Sequence, residues 1–125
     1  DTHVKSVACQ TCHIPEFAGK LPTKAWWDWS KAGDATREED VHGYLKIKGE
    51  CTYEQASVPE YRWFNGTGGR YLIGDKIDPT KVTTLNPPLG GIGDAKSKIW
   101  PFKIHRAKQP YDAGFNYLFP PVTGG

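Results

Sequence analysis

Glycine and proline interrupt this chain more often than they interrupt an average globular domain. The 14 glycines and 10 prolines make up 24 of 125 residues, about 19% against an average near 12%. In the last fifty residues the breaks come at Asp78-Pro79, Pro87-Pro88, Gly90-Gly91, Pro101, Pro110 and Pro120-Pro121. We therefore expect this stretch to be mostly extended coil and turns. A compact domain tolerates so long an irregular segment if it wraps a cofactor or a neighbouring domain.

The length favours one domain spanning residues 1–125. Sixteen Lys and Arg residues oppose 14 Asp and Glu residues, so the formal net charge is +2. Because the charges are spread along the chain, we expect no nucleic-acid partner and no acidic tail. No apolar run approaches the roughly 18 residues of a membrane span, so we expect no membrane crossing.

The predicted regular elements favour a mainly irregular and α-helical fold class. A helix is expected over residues 23–32, followed by Gly33 as its stop signal. A second short helix is expected over residues 38–46. Residues 61–64 and 70–73 flank a glycine-rich loop and are predicted to form one small hairpin.

The residues available for a core have an unusual composition. The chain has five Trp, six Tyr and five Phe residues but no Met, and aliphatic side chains are sparse. Large aromatic surfaces pack against flat or bulky apolar partners. We therefore expect part of the core to come from a group other than side chains.

One short motif carries recognisable chemistry. Cys9-Gln10-Thr11-Cys12-His13 has the form C-x-x-C-H, the attachment signature of c-type haem. On one helical turn, two thiols three residues apart can reach the two vinyl groups along one porphyrin edge. The next imidazole, that of His13, is then directed at the iron. The composition of this chain gives a chance match of roughly 0.2%, so the motif predicts haem c as cofactor.

Two other uses of these cysteines are open. A zinc site would combine Cys9 and Cys12 with His42 and Cys51, although His42 and Cys51 lie nine residues apart instead of forming a second tight pair. A redox dithiol would need a βαβ context, which the sequence lacks. The leftover Cys51 is expected to be an inert, half-buried thiol.

The second axial ligand of the iron is not fixed by the motif. Because the chain has no Met, it cannot supply a His/Met iron by itself. A second histidine, a lysine or an open position remain, and the candidate distal ligands are His42, His3 and His105, for this haem or a neighbouring one. We prefer His42 for the local haem and His3 for a neighbouring haem.

Several side chains are expected to surround the porphyrin. The aromatic candidates include Trp26 and Trp29, which would contact the apolar disc. Arg106, in a small basic cluster, is a candidate for pairing with haem propionates. Ordinary core packing and a solvated surface are the alternatives for these residues.

Long runs of this sequence resemble the octahaem tetrathionate reductase family of multihaem cytochromes c. The runs are His3 and residues 7–18, 26–30, 58–61, 63–67, 99–103 and 108–112. The resemblance implies the C-terminal part of such a protein, with an irregular fold and scattered helices. Together with the hairpin expected from the residues, it predicts short helices and one small hairpin packed around haem. It also implies a close array of mostly bis-histidine haems.

The chain departs from that family in carrying one attachment motif instead of eight. In that family the catalytic haem is attached in an N-terminal part, which the resemblance places outside these 125 residues, so an enzymatic activity is left open and no catalytic residue is assigned. We expect electron transfer through a low-potential haem c, at a periplasmic or extracellular location. The expected partners are another haem-bearing polypeptide or a redox protein, in an oligomer or a larger chain. The alternatives are reduction of small nitrogen or sulfur oxyanions at an open haem face and a zinc-stabilised interaction module.

Overall fold

The computed structural model describes residues 2–120, and the chain divides into two compact units. The first unit consists of Asp1–Leu21, Gln55–Tyr71 and Thr84–Ile104, and the second of Pro22–Glu54, Leu72–Thr83 and His105–Gly125. The expectation that residues 1–125 form a single haem-c-binding domain stays a prediction.

The described regular elements are short and mostly extended. In chain order they are α1 (Thr2–Ser6), α2 (Cys9–His13), β1 (Thr23–Asp28), a 3₁₀ helix (Trp29–Lys31), β2 (Tyr44–Leu45), β3 (Gly49–Glu54), β4 (Glu60–Phe64), β5 (Lys98–Phe102), β6 (Arg106–Lys108), β7 (Tyr111–Asp112) and β8 (Tyr117–Leu118). Neither α-helix has the length or the hydropathy needed to cross a membrane.

In the first unit, β4 and β5 form an antiparallel pair. Both α1 and α2 pack against β5. Phe64 of β4 makes edge-to-face contacts with Trp100 and Phe102 of β5, at ring-centroid distances of 6.2 and 5.6 Å. These aromatic contacts across the pair explain why the two strands associate despite being far apart in sequence.

The second unit contains a four-stranded sheet with the order β2-β3-β1-β6. β1 pairs antiparallel with β3 and parallel with β6, so it lies inside the sheet. β7 and β8 form a separate antiparallel hairpin. β6 is an edge strand with all three residues exposed, and its Arg106 and Lys108 are charges of the kind that protect a sheet edge.

The predicted fold class was wrong in its helical part. Strands and isolated β-bridges together account for 31% of the described residues and helices for only 11%, although much of the chain is irregular. Residues 23–32 form β1 and the 3₁₀ helix instead of an α-helix. Tryptophan favours a half-buried pleated strand, and the Trp27 indole N–H donates to the Lys48 carbonyl at the adjoining end of β3.

The other two predicted elements were also wrong. Residues 38–46 form a turn and β2, because the carboxylate of Asp40 accepts from the backbone of His42 in competition with helical bonding. β4 pairs with β5, not with residues 70–73. The glycine-rich loop pairs elsewhere: Gly69 donates to Pro87 and Tyr71 to Leu85 through their backbones.

The described residues bury little hydrophobic side chain. Ala8 and Tyr44 are the buried hydrophobic residues, at 3% and 2% exposure, and among residues 2–120 no large side chain is fully enclosed. Tyr44 is fixed by its hydroxyl, which bonds both backbone groups of Asp34. So small a protein core is what we expect of a chain that packs around an additional apolar group.

Candidate functional site

The C-x-x-C-H motif forms the whole of α2. Cys9, Cys12 and His13 are exposed, and both thiols are free. Ala8 precedes the helix in an extended conformation, with φ −70° and ψ 146°, and supplies no side-chain cap. The helical turn closes through backbone bonds from Thr11 to Ala8 and from Ile14 to Gln10. The motif therefore presents two thiols and an imidazole on one short turn.

β5 holds α2 in place through one carbonyl group. The Ile99 carbonyl accepts from the Ala8 N–H at 3.0 Å and from the Thr11 hydroxyl at 2.7 Å. Val7 forms an isolated parallel bridge with the same residue. Because Ala8 has a small side chain, the start of α2 can lie directly against the strand.

His3 is in the same unit as the motif. It lies on α1, its side chain is exposed, and its carbonyl accepts from the Val7 N–H at 2.8 Å. This bond connects α1 to the segment that bridges to β5. A role for His3 as ligand of a neighbouring haem stays a prediction.

A second set of candidates lies in the other unit. His42 is exposed in the turn before β2, with its ring edge-on to Tyr53 at 5.6 Å. His105 is exposed and its ring is parallel to that of Trp27, at a centroid distance of 6.3 Å. Trp29 stacks on Trp27 at 4.1 Å.

Trp26 and Arg106 are neighbours in the sheet of the second unit. They are directly opposite in the parallel pairing of β1 with β6, and Trp26 is 39% exposed. Residues opposite one another in a sheet project from the same face. The pairing therefore places Trp26 and Arg106 on one face of the sheet.

Asp94, in the first unit, accepts hydrogen bonds that favour its ionised form. The pKa of Asp94 lies below its ordinary value because its carboxylate accepts from the Lys96 N–H and from the side chains of Asn65 and Ser97. Ser97 is 3% exposed. The ionised carboxylate thus fixes the segment that leads into β5.

Comparison with known proteins decides the family. Residues 24–125 match the family described as bacterial cytochrome c. The chain belongs to this family. The crystal structure of octahaem cytochrome c from Shewanella oneidensis is similar over 99% of the chain, with 50% sequence identity and a TM-score of 0.89. No curated protein matches the chain.

The cytochrome spans only part of that relative, since the match covers 29% of the Shewanella chain. The expected resemblance to octahaem cytochromes is confirmed by this match. Family membership also confirms haem c as the cofactor and haem-based electron transfer as the chemistry. The family match begins after the motif, at residue 24, whereas the structural match covers 99% of the given sequence and therefore includes the motif.

The residues of α2 suit covalent haem attachment. Cys9 and Cys12 are free and exposed, as thioether formation requires, and His13 is exposed on the same turn. An imidazole must be unprotonated at the nitrogen that binds a metal, and the thiols would bind the porphyrin and not the iron. These three residues would hold haem c, and the distal ligand stays a prediction.

The structure brings some predicted site residues together and separates others. The motif and His3 are in the first unit, whereas His42, His105, Trp26, Trp29 and Arg106 are in the second. Within the second unit, His105 and Trp29 both stack on Trp27. His42 lies in a turn and not on the predicted helix. The prediction that His42 binds iron is not tested by this difference.

The zinc alternative finds no support in the side-chain arrangement. Among residues 2–120, no three His, Cys, Asp or Glu side chains are grouped so that they could hold a metal ion. Cys51 is half-buried and lines a cavity of about 270 Å³ in the second unit. Its assignment as an inert thiol stays a prediction.

Sequence reasoning missed the support of α2. Thr11 and Ile99 are separated by 88 residues, and a single threonine inside a motif gives no signal of a distant partner. Lys24 was also missed, although its ammonium lies 3.7 Å from the Trp27 ring centroid, a cation–π contact.

Proposed function

We propose that this chain is an electron-transfer segment of a multihaem cytochrome c, with one haem attached to Cys9 and Cys12 and His13 as its proximal ligand. The observation that carries the proposal is α2, which presents two free thiols and an imidazole on one exposed turn. The 50% identity to octahaem cytochrome c supports the multihaem part.

The chain's contribution is to hold the redox centre in one place. When bound, haem c supplies a one-electron couple at its iron. The thiols of Cys9 and Cys12 anchor the group covalently, and the His13 imidazole binds the metal. Two bonds to the Ile99 carbonyl hold α2 against β5, so the ligands need not move when an electron arrives or leaves.

The second axial position belongs to a histidine in this proposal. His42 would serve the haem of this chain, His3 would serve a neighbouring haem, and His105 is the next candidate for either. Two imidazoles without a methionine thioether predict a low reduction potential.

Covalent haem attachment also leads to a proposal for the location and the partners of the chain. Covalent haem attachment is a property of exported cytochromes, so we place the protein in the periplasm or outside the cell. Its expected partners are another haem-bearing polypeptide or a redox protein, in an assembly similar to octahaem tetrathionate reductase. No catalytic step is assigned to residues of this chain.

A peptide-mass experiment tests the attachment. The holoprotein is produced in bacteria that mature c-type cytochromes and digested with trypsin, which cuts after Lys5 and Lys20. We expect the peptide of residues 6–20 to carry the mass of one haem, because it contains both attachment cysteines. The variant Cys9→Ala/Cys12→Ala should lose this haem.

The matched control is Cys51→Ala, which removes the remaining thiol and should leave the haem on peptide 6–20 in place. A wild-type peptide without haem, or a colourless protein that contains zinc, would contradict the proposal. Loss of haem in the Cys51 variant alone would also contradict it.

A further inference from the structure

One residue of the attachment helix faces away from the other functional side chains. With 3.6 residues per turn, successive side chains are about 100° apart around a helix axis. Cys9, Cys12 and His13 therefore lie within a sector of about 100°. Thr11 lies on the opposite side, and it is the one residue of α2 that is not exposed.

The hydroxyl of Thr11 makes a specific contact there. It donates to the Ile99 carbonyl at 2.7 Å, and the same carbonyl accepts from the Ala8 N–H at 3.0 Å. The two donors are three residues apart and approach one fixed point. The Ala8 bond and the Val7–Ile99 bridge hold the residues that precede α2, whereas the Thr11 bond attaches a side chain of the helix itself to β5 and restricts rotation of the helix about its axis.

We propose that Thr11 is a positioning residue for haem c. Its bond to Ile99 sets the rotation of α2 against β5 and thereby the direction in which Cys9, Cys12 and His13 present their reactive atoms. The inference rests on the proposed attachment at these three residues. Thr11 contacts β5 and acts on the haem only through the helix.

Valine tests the hydroxyl with little other change. Thr11→Val keeps the β-branched shape of the side chain and removes only the donor. The Ile99 carbonyl keeps the Ala8 N–H as its partner, so no buried acceptor is left without a hydrogen bond. We therefore expect the variant to fold and to retain haem on peptide 6–20.

The experiment compares Thr11→Val, Thr11→Ser and Gln10→Ala in the holoprotein. The measurements are the reduction potential, the circular dichroism of the Soret band and the exchange rate of the Ala8 amide. For the valine variant we expect a shifted potential, an altered Soret signal and amide exchange about 2- to 10-fold faster, as loss of one net hydrogen bond implies. The serine variant keeps the hydroxyl and should match the wild type.

Gln10→Ala is the matched control, because Gln10 is an exposed neighbour on the same helix, and it should also match the wild type. An unchanged potential and Soret signal in Thr11→Val would overturn the inference. A serine variant that shifts as valine does would overturn it too. If valine prevents haem attachment and serine restores it, the inference is supported. A wild-type peptide 6–20 without haem defeats the proposed function instead, and the two failures are thus distinguishable.

Discussion

Two polar side chains of the first unit, those of Thr11 and Asp94, form hydrogen bonds to β5 or to the segment before it. Thr11 donates to the Ile99 carbonyl inside the strand, and Asp94 accepts bonds from the segment that leads into it. The hydroxyl of Ser97 is buried and bonds to both Gly91 and Asp94. Since a buried hydroxyl without a partner is costly, these bonds restrict the position of β5 and of the helix it supports.

Asp94 makes the first unit sensitive to acid. Its pKa is below the ordinary value of 3.8 in the folded protein, so its contribution to stability is present above the unfolded pKa and is lost as the pH falls through the folded one. We expect wild type to be more stable than Asp94→Asn at neutral pH, with the difference closing below about pH 4.

Urea unfolding of both proteins as a function of pH measures this difference. The asparagine side chain can still accept from the Lys96 N–H but cannot ionise. A stability difference that stays constant from pH 7 to pH 3 would show that ionisation of Asp94 is not responsible.

At the scale of elements, the packing of β1 against β3 depends on Gly49. This glycine has a φ of +82°, and a Cβ at its position would approach the Asp28 carbonyl oxygen of β1 within 2.2 Å. Both the left-handed backbone and the close contact exclude a side chain. The turn between β2 and β3 therefore requires glycine here.

Gly49→Ala should destabilise the second unit by about 2–5 kcal/mol, the sum of backbone strain and overpacking. Gly33→Ala is the matched control, because Gly33 has a similar φ of +91° with no atom within 4 Å of the added Cβ. Its expected cost is about 1–2 kcal/mol from strain alone. Thermal unfolding of the two holoprotein variants measures the difference, and equal losses would refute the contact argument.

Short sequence patterns predicted the chemistry of this chain better than they predicted its helices and strands. Cys9, Cys12 and His13 are adjacent in sequence, so the motif could be recognised without knowledge of the fold. The strand β1 could not be recognised in this way, because its partner strands lie far along the chain. Trp27 of β1 pairs with Cys51 and with Ala107. Capping residues predicted a helix over 23–32, and tertiary pairing overrode that preference.

For the whole molecule, a bound haem would bury part of the apolar surface that the described side chains leave exposed. Ala8 and Tyr44 are the hydrophobic residues that the described chain encloses, and the aromatic-rich composition predicts that part of the core comes from a group other than side chains. Which histidine completes which iron could not be read from the sequence, because the candidates are divided between two units.

The axial ligation can be tested on the intact holoprotein. If histidines occupy both axial positions, its optical spectrum is low-spin, and adding cyanide or nitrite leaves it unchanged, since neither ligand finds an open position. A spectral shift with nitrite would favour the alternative in which an open haem face reduces small oxyanions.

His42→Ala then tests the preferred distal residue. We expect one haem to become high-spin and to bind cyanide, because its sixth ligand is lost. Lys46→Ala, an exposed neighbour in the same unit, is the control and should keep the wild-type spectrum. An unchanged spectrum in the His42 variant would assign the position to another residue.

The separation of 88 positions between Thr11 and Ile99 also has a consequence for biosynthesis. A ribosome adds about 5–20 residues per second. Ile99, whose carbonyl binds the Thr11 hydroxyl, is therefore added to the chain roughly 4–18 seconds after Thr11. Throughout that interval the two cysteines sit on a nascent turn too short to persist alone.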